Sequence, residues 1–160
     1  MSLPTPATIL AWFKTAIVDA LQLHESAVMV STHDTSPPRI PPTTPFIVIS
    51  PREMRFVVPE QNPAQCVVEW DVRVRVFSRL AIDRAGSIDA ALLSAESGLY
   101  ALIQKIIHAV LTQAPPDVPL RGCYAASATG PVEWLTPLEG QLSFISIAID
   151  FRTDFDWVFD

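Results

Sequence analysis

Lysine is scarce in this chain: Lys14 and Lys105 are the only two among its 11 basic residues, set against 17 acidic ones for a formal net charge of −6. Binding along a nucleic-acid backbone needs a concentrated positive surface, so nucleic-acid specificity is excluded. Glycine is also sparse. Its five occurrences in 160 residues match neither G-x-G-x-x-G nor P-loop spacing, which excludes a glycine-built phosphate cradle. The two cysteines, Cys66 and Cys123, form no C-x-x-C motif and read as small buried hydrophobes rather than a disulfide or metal pair. No apolar run approaches the roughly 20 residues of a membrane span. The opening MSLPTPATIL has neither a basic n-region nor a cleavage site, so synthesis in the cytoplasm and no membrane partner are expected. His24, His33 and His108 lack the spacing of a metal pair, and no serine sits in a G-x-S-x-G elbow. No catalytic, cofactor-binding or metal-ligating residue is therefore named, and an enzyme is not expected.

What is present is a chain 49% hydrophobic, long enough for one proper core, and read as one domain over 1–160. Its most constrained stretch is Cys66–Phe77, CVVEWDVRVRVF. There Val68, Trp70, Val72, Val74 and Val76 alternate with Glu69, Asp71, Arg73 and Arg75, the period of a strand with one apolar and one charged face. Glu69 with Asp71 resembles an acid/base pair, but Arg73 and Arg75 continue the same row. That row reads as a charge ladder facing solvent or a neighbouring subunit. Arginine rather than lysine in it suits bidentate pairing with carboxylates, within the fold or across an interface.

Before this strand, Thr5 or Thr8 caps a helix predicted over 6–23, with Ile9, Phe13, Ile17 and Leu21 on its buried stripe and Trp12 at its edge or against another chain. A short strand is expected at 27–31. The segment 32–45 holds five prolines and reads as an extended loop or a rigid arm. Residues 46–58 form the first arm of a long hairpin, with Pro51 at an edge or bulge. After the strand, Ile88, Leu92, Ala95, Leu99, Leu102, Ile106 and Val110 predict one long helix over 87–113 lying across the sheet, where Ala90, Ala91 and Ala95 allow close approach. A strand is expected at 121–129, a turn at Gly130–Pro131, a short strand at 132–135, and a last strand at 142–152 with a bulge near Phe144. In the tail, Phe155, Trp157 and Phe159 alternate with acidic residues, a pattern suited either to a strand that orders only against another chain or to a frayed terminus.

The order α-β-β-α-β-β gives an α+β fold, a mostly antiparallel sheet covered by one long helix plus the N-terminal helix. With the amphipathic helix Ile9–Leu21, PFIVIS (45–50), VVEWDVRVRVF (67–77), the long helix 87–113 and FISIAIDFRT (144–153), the chain resembles the tail terminator family of long-tailed bacteriophages, also called tail completion or head-to-tail joining proteins. The resemblance implies a virion structural protein at the head-proximal end of the tail, without enzyme activity. It implies a homohexameric ring that caps the tail tube protein, ends its polymerisation and meets a head-proximal connector or adaptor. Glu69, Asp71, Arg73, Arg75, Phe155, Trp157 and Phe159 are the expected subunit-interface residues. Another tail or neck subunit, and a small-ligand or regulatory α+β module, are the rival readings.

Overall fold

A computed structural model describes residues 4–31, 45–61, 64–80, 87–113, 120–135 and 143–158. The fold is α+β: helices α1 (Pro6–Leu21), α2 (Ser87–Leu93) and α3 (Leu99–Thr112), and strands β1 (Val28–Val30), β2 (Phe46–Val57), β3 (Gln65–Arg79), β4 (Leu120–Leu135) and β5 (Ser143–Val158). The strands form one mixed sheet in the order β1-β2-β3-β5-β4, parallel only at β1–β2. No helix among the described residues is long and apolar enough to cross a membrane.

Thr5 and Thr8, rival cap candidates in the sequence, act together. The Thr5 hydroxyl accepts from the Thr8 backbone N–H, and the Thr5 backbone N–H donates to the Thr8 hydroxyl. The helix ends at Gln22, whose left-handed φ of 52° stops it two residues short of the expected end. Ile9, Phe13 and Ile17 are buried against the sheet. Trp12 stays within the chain, donating its indole N–H to the Gln113 carbonyl at 3.1 Å and so tying α1 to the end of α3.

The predicted single helix over 87–113 is broken at 94–98. Ser94, Ser97 and Gly98 are weak helix formers, and the Ser94 and Ser97 hydroxyls bond to each other at 3.1 Å. Gly98 then passes so close to the preceding turn that a Cβ would lie 2.5 Å from the Ser94 carbonyl oxygen. Ala90 and Ala95 are consequently exposed rather than facing the sheet. Beyond the break the stripe behaves as its period requires: Leu99, Leu102, Ile103, Ile106 and Val110 are buried in one cluster with the even-numbered side chains of β3 from Cys66 to Val76.

Pro51 sits where regular β2–β3 pairing gives way to a bulge before Met54. β1 pairs only with Ile47, Val48 and Ile49, so no described strand needs a donor from Pro51 on the other side. β4 is one strand where a turn was expected. Gly130 and Pro131 form a bulge inside it, and Gly130 takes a φ of +131° that excludes other residues. In β5 the expected bulge near Phe144 does not exist, because pairing with β3 is unbroken from Phe144 to Val158. Phe144 turns to the other sheet face, where it joins Phe46, Val48 and Phe77 in a second, smaller apolar cluster. The sheet is thus apolar on both faces at one end, a possibility the single alternation of β3 does not reveal.

Candidate functional site

The face of the sheet opposite the helices carries the charges singled out in the sequence. Antiparallel registry sets Glu69 opposite Asp154, Asp71 opposite Arg152 and Arg73 opposite Asp150. Arg73 grips Asp150 through Nε to Oδ1 at 2.7 Å and Nη2 to Oδ2 at 2.9 Å. Arg152 grips Asp71 with the same two distances, and its Nη1 lies 3.6 Å from Glu69 Oε2. These forks are mostly sheltered, the Arg73 and Asp150 side chains retaining only 13% and 18% exposure. The hydrogen-bonded Arg73 guanidinium, helped by the Ser127 hydroxyl, holds the Asp150 carboxyl below the usual range. Arg75 stands 5.2 Å from the centre of the Trp134 ring, whose N–H donates to the Ser146 hydroxyl at 2.7 Å.

The expected interface row is therefore largely satisfied inside one chain. Its partners Asp150 and Arg152 were overlooked in the sequence although a signal exists. The alternate residues of β5, Asp150, Arg152 and Asp154, when reversed, complement two of the three positions Glu69, Asp71 and Arg73.

The third position does not fit. Asp154 faces Glu69, and its Oδ1 is buried with no hydrogen-bond partner among the described residues. Burial, and after it the negative Glu69, push its carboxyl up from the ordinary value. Beside it on β4 lies Gly122, where a Cβ would meet only Asp154 Oδ2, at 3.7 Å.

The tail does not wait for another chain, contrary to expectation. Phe155 is fully buried in this chain's own core opposite Val68, and Trp157 pairs with Cys66 and stands 6.0 Å, ring to ring, from Phe56. Phe159 lies outside the described residues, as do 32–44 of the proline-rich segment. Both cysteines are free; Cys66 is buried, and burial pushes the Cys123 thiol up to about 12. His24 caps the turn at 25–27, His108 is exposed on α3, and His33 lies outside the described residues. Among the described residues no three His, Cys, Asp or Glu side chains form a metal-holding group.

Among the described residues the sheet ends openly on both sides. There β4 is paired only with β5 and is exposed along most of its length. On the opposite side β1 covers only three positions of β2, and the stretch beyond ends in Phe56, Val57 and Val58 at 53%, 49% and 52% exposure. Three consecutive exposed apolar residues on an uncovered edge are a liability for an isolated chain. The chain matches no family model and has no significant match among curated proteins.

Proposed function

We propose that the protein is a ring-forming virion structural subunit that caps the tail tube of a long-tailed bacteriophage, ends tube polymerisation and presents a surface to the head-proximal connector. The order of helices and strands that carries the resemblance supports this reading. The single observation that supports it most is the pair of unfinished edges, β4 on one side and the far half of β2 on the other. Two different open surfaces on one subunit favour head-to-tail association, which closes into a ring when the rotation permits. The charge ladder contributes differently from the sequence expectation: paired in cis, it stiffens the sheet rather than recruiting a neighbour.

Light scattering on the purified chain should give a closed oligomer of six copies, and adding that oligomer to growing tail tubes should stop elongation. A chain that stays monomeric at high concentration, or tubes that lengthen past it unchanged, would defeat the proposal.

A further inference from the structure

The registry of the four long strands fixes how the two open edges stand relative to each other. Phe56, Val68, Phe155 and Leu120 lie at one level across the sheet. Arg55, Glu69, Asp154 and Gly122 lie at the next, and Ser50, Arg73, Asp150 and Ser127 several residues further on. The part of β2 without a second neighbour among the described residues, 50–56, is therefore level with 120–127 of β4. Three antiparallel steps separate the two strands, so β4 runs opposite to β2. A second copy placed beside the first, with its helices on the same side, brings β2 against β4 in antiparallel sense without any slide along the strands.

We propose that neighbouring copies join by strand addition, residues 50–56 of one copy extending the sheet along residues 120–127 of the next, with Arg55 of the first crossing Gly122 to reach Asp154 of the second. The inference rests on the ring reading and specifies its interface. Backbone bonds between the two strands supply affinity, Pro51 adding no donor of its own, and side chains on the two faces supply register. Small residues Ala125 and Ala126 on β4 leave room for the larger side chains arriving with β2. Charge supplies the direction. Asp154 is sheltered, faces Glu69, and has a carboxylate oxygen without a partner among the described residues. Arg55 projects from the same sheet face, half-exposed, and forks onto Glu53 two residues away, Nε to Oε1 at 2.9 Å and Nη2 to Oε2 at 3.0 Å. Glycine at 122 removes the one side chain that would stand between them. Pairing of β4 with β4 about a two-fold axis would instead leave the Phe56–Val58 edge uncovered and Asp154 uncompensated.

Cysteine cross-linking tests the geometry. Arg55→Cys and Gly122→Cys both alter exposed or unobstructed positions, and the native Cys66 and Cys123, one buried and one with its thiol pushed up, do not compete. After mild oxidation, the expected result is a covalent dimer in the mixture of the two single variants and in neither alone, with circular dichroism unchanged. The double variant should give a ladder of covalent species ending at the ring. Arg55→Ala should weaken assembly about tenfold, the scale of one charge-assisted contact. If the unmodified chain assembles but the mixture gives no cross-link, or if either variant cross-links alone, this interface is wrong while the ring stands. If the unmodified chain does not assemble, both readings fall together.

Discussion

Arg73 and Asp154 stand in the same charged row with opposite signs of contribution. Arg73 and Asp150 share two short bonds in a sheltered position, so Arg73→Ala strands a partly buried carboxylate and should cost about 1–3 kcal/mol in urea unfolding. Arg75→Ala, which removes a contact with the Trp134 ring, should cost about 0.5–1 kcal/mol. Charge reversal at Arg73 would place two carboxylates together, so it would damage the fold as well as any assembly. Because the folded-state carboxyl of Asp150 is depressed, its contribution is present above the ordinary value of 3.8 and disappears as pH falls through the lower folded value. Asp154 behaves in reverse. Its raised carboxyl makes the ionised form a burden in the folded chain at neutral pH, relieved as pH falls through the raised value toward 3.8. Asp154→Asn, measured at a dilution that keeps the chain monomeric, should raise the unfolding midpoint at neutral pH, with the gain vanishing in acid. An unchanged or lowered midpoint at neutral pH would show that Asp154 is compensated within the chain. The alternation of β3 made its charged face legible from the sequence, but alternation fixes only which face a residue occupies. Which strand lies alongside, and in what register, depends on long-range pairing, so the mutual satisfaction of Arg73, Asp71, Asp150 and Arg152 stayed hidden.

The helices separate what periodicity can and cannot specify. The stripe Leu99, Leu102, Ile106 and Val110 is buried as its spacing requires, and Ile106→Ala should cost about 2–5 kcal/mol by removing a fully buried branched side chain from the cluster under α3. A loss below about 0.5 kcal/mol, the size seen at surface sites, would mean that the stripe does not carry the helix onto the sheet. The stripe continues in phase through Ile88 and Leu92, which is why one long helix was expected. The break is local: at Gly98 the backbone turns extended, with ψ 152°, so close to the Ser94 carbonyl that a Cβ has no space. Gly98→Ala, a substitution that favours an ordinary helix interior by about 1 kcal/mol, should here destabilise the protein, and its unfolding curve decides the sign. The same limit explains β4. Gly130–Pro131 carries the local signature of a turn, yet β5 supplies partners on both sides of it, and the dipeptide becomes a bulge within a strand.

At the scale of the whole molecule the sheet is long, covered by helices on one face and, among the described residues, finished on neither side. Its length depends on the C-terminal strand. The acidic and aromatic residues of the tail read as a segment awaiting a neighbour because Phe155 and Trp157 alternate with Asp154 and Asp156, and alternation alone does not distinguish a strand lent to another chain from one retained. Here the strand is retained. Phe155 fills the core between Val68 and Leu120, Trp157 covers Cys66, and Arg121 closes on Asp156 at 2.8 Å. A chain ended after Thr153 would lose this Phe155 packing, the β5 pairs with 65–69, and the ion pair that anchors the start of β4. Loss of one buried phenylalanine alone typically costs about 3–5 kcal/mol. The expected outcome of the truncation is therefore a monomer much less stable to urea, with β4 and the Gln65–Val68 end of β3 exchanging their amide protons first. Under the proposed strand addition assembly should fail with it, since 120–127 is there the edge offered to the neighbouring copy. A truncated chain that unfolds at the same urea concentration as the full one, while no longer assembling, would instead return the tail to the role of a strand lent to a neighbour.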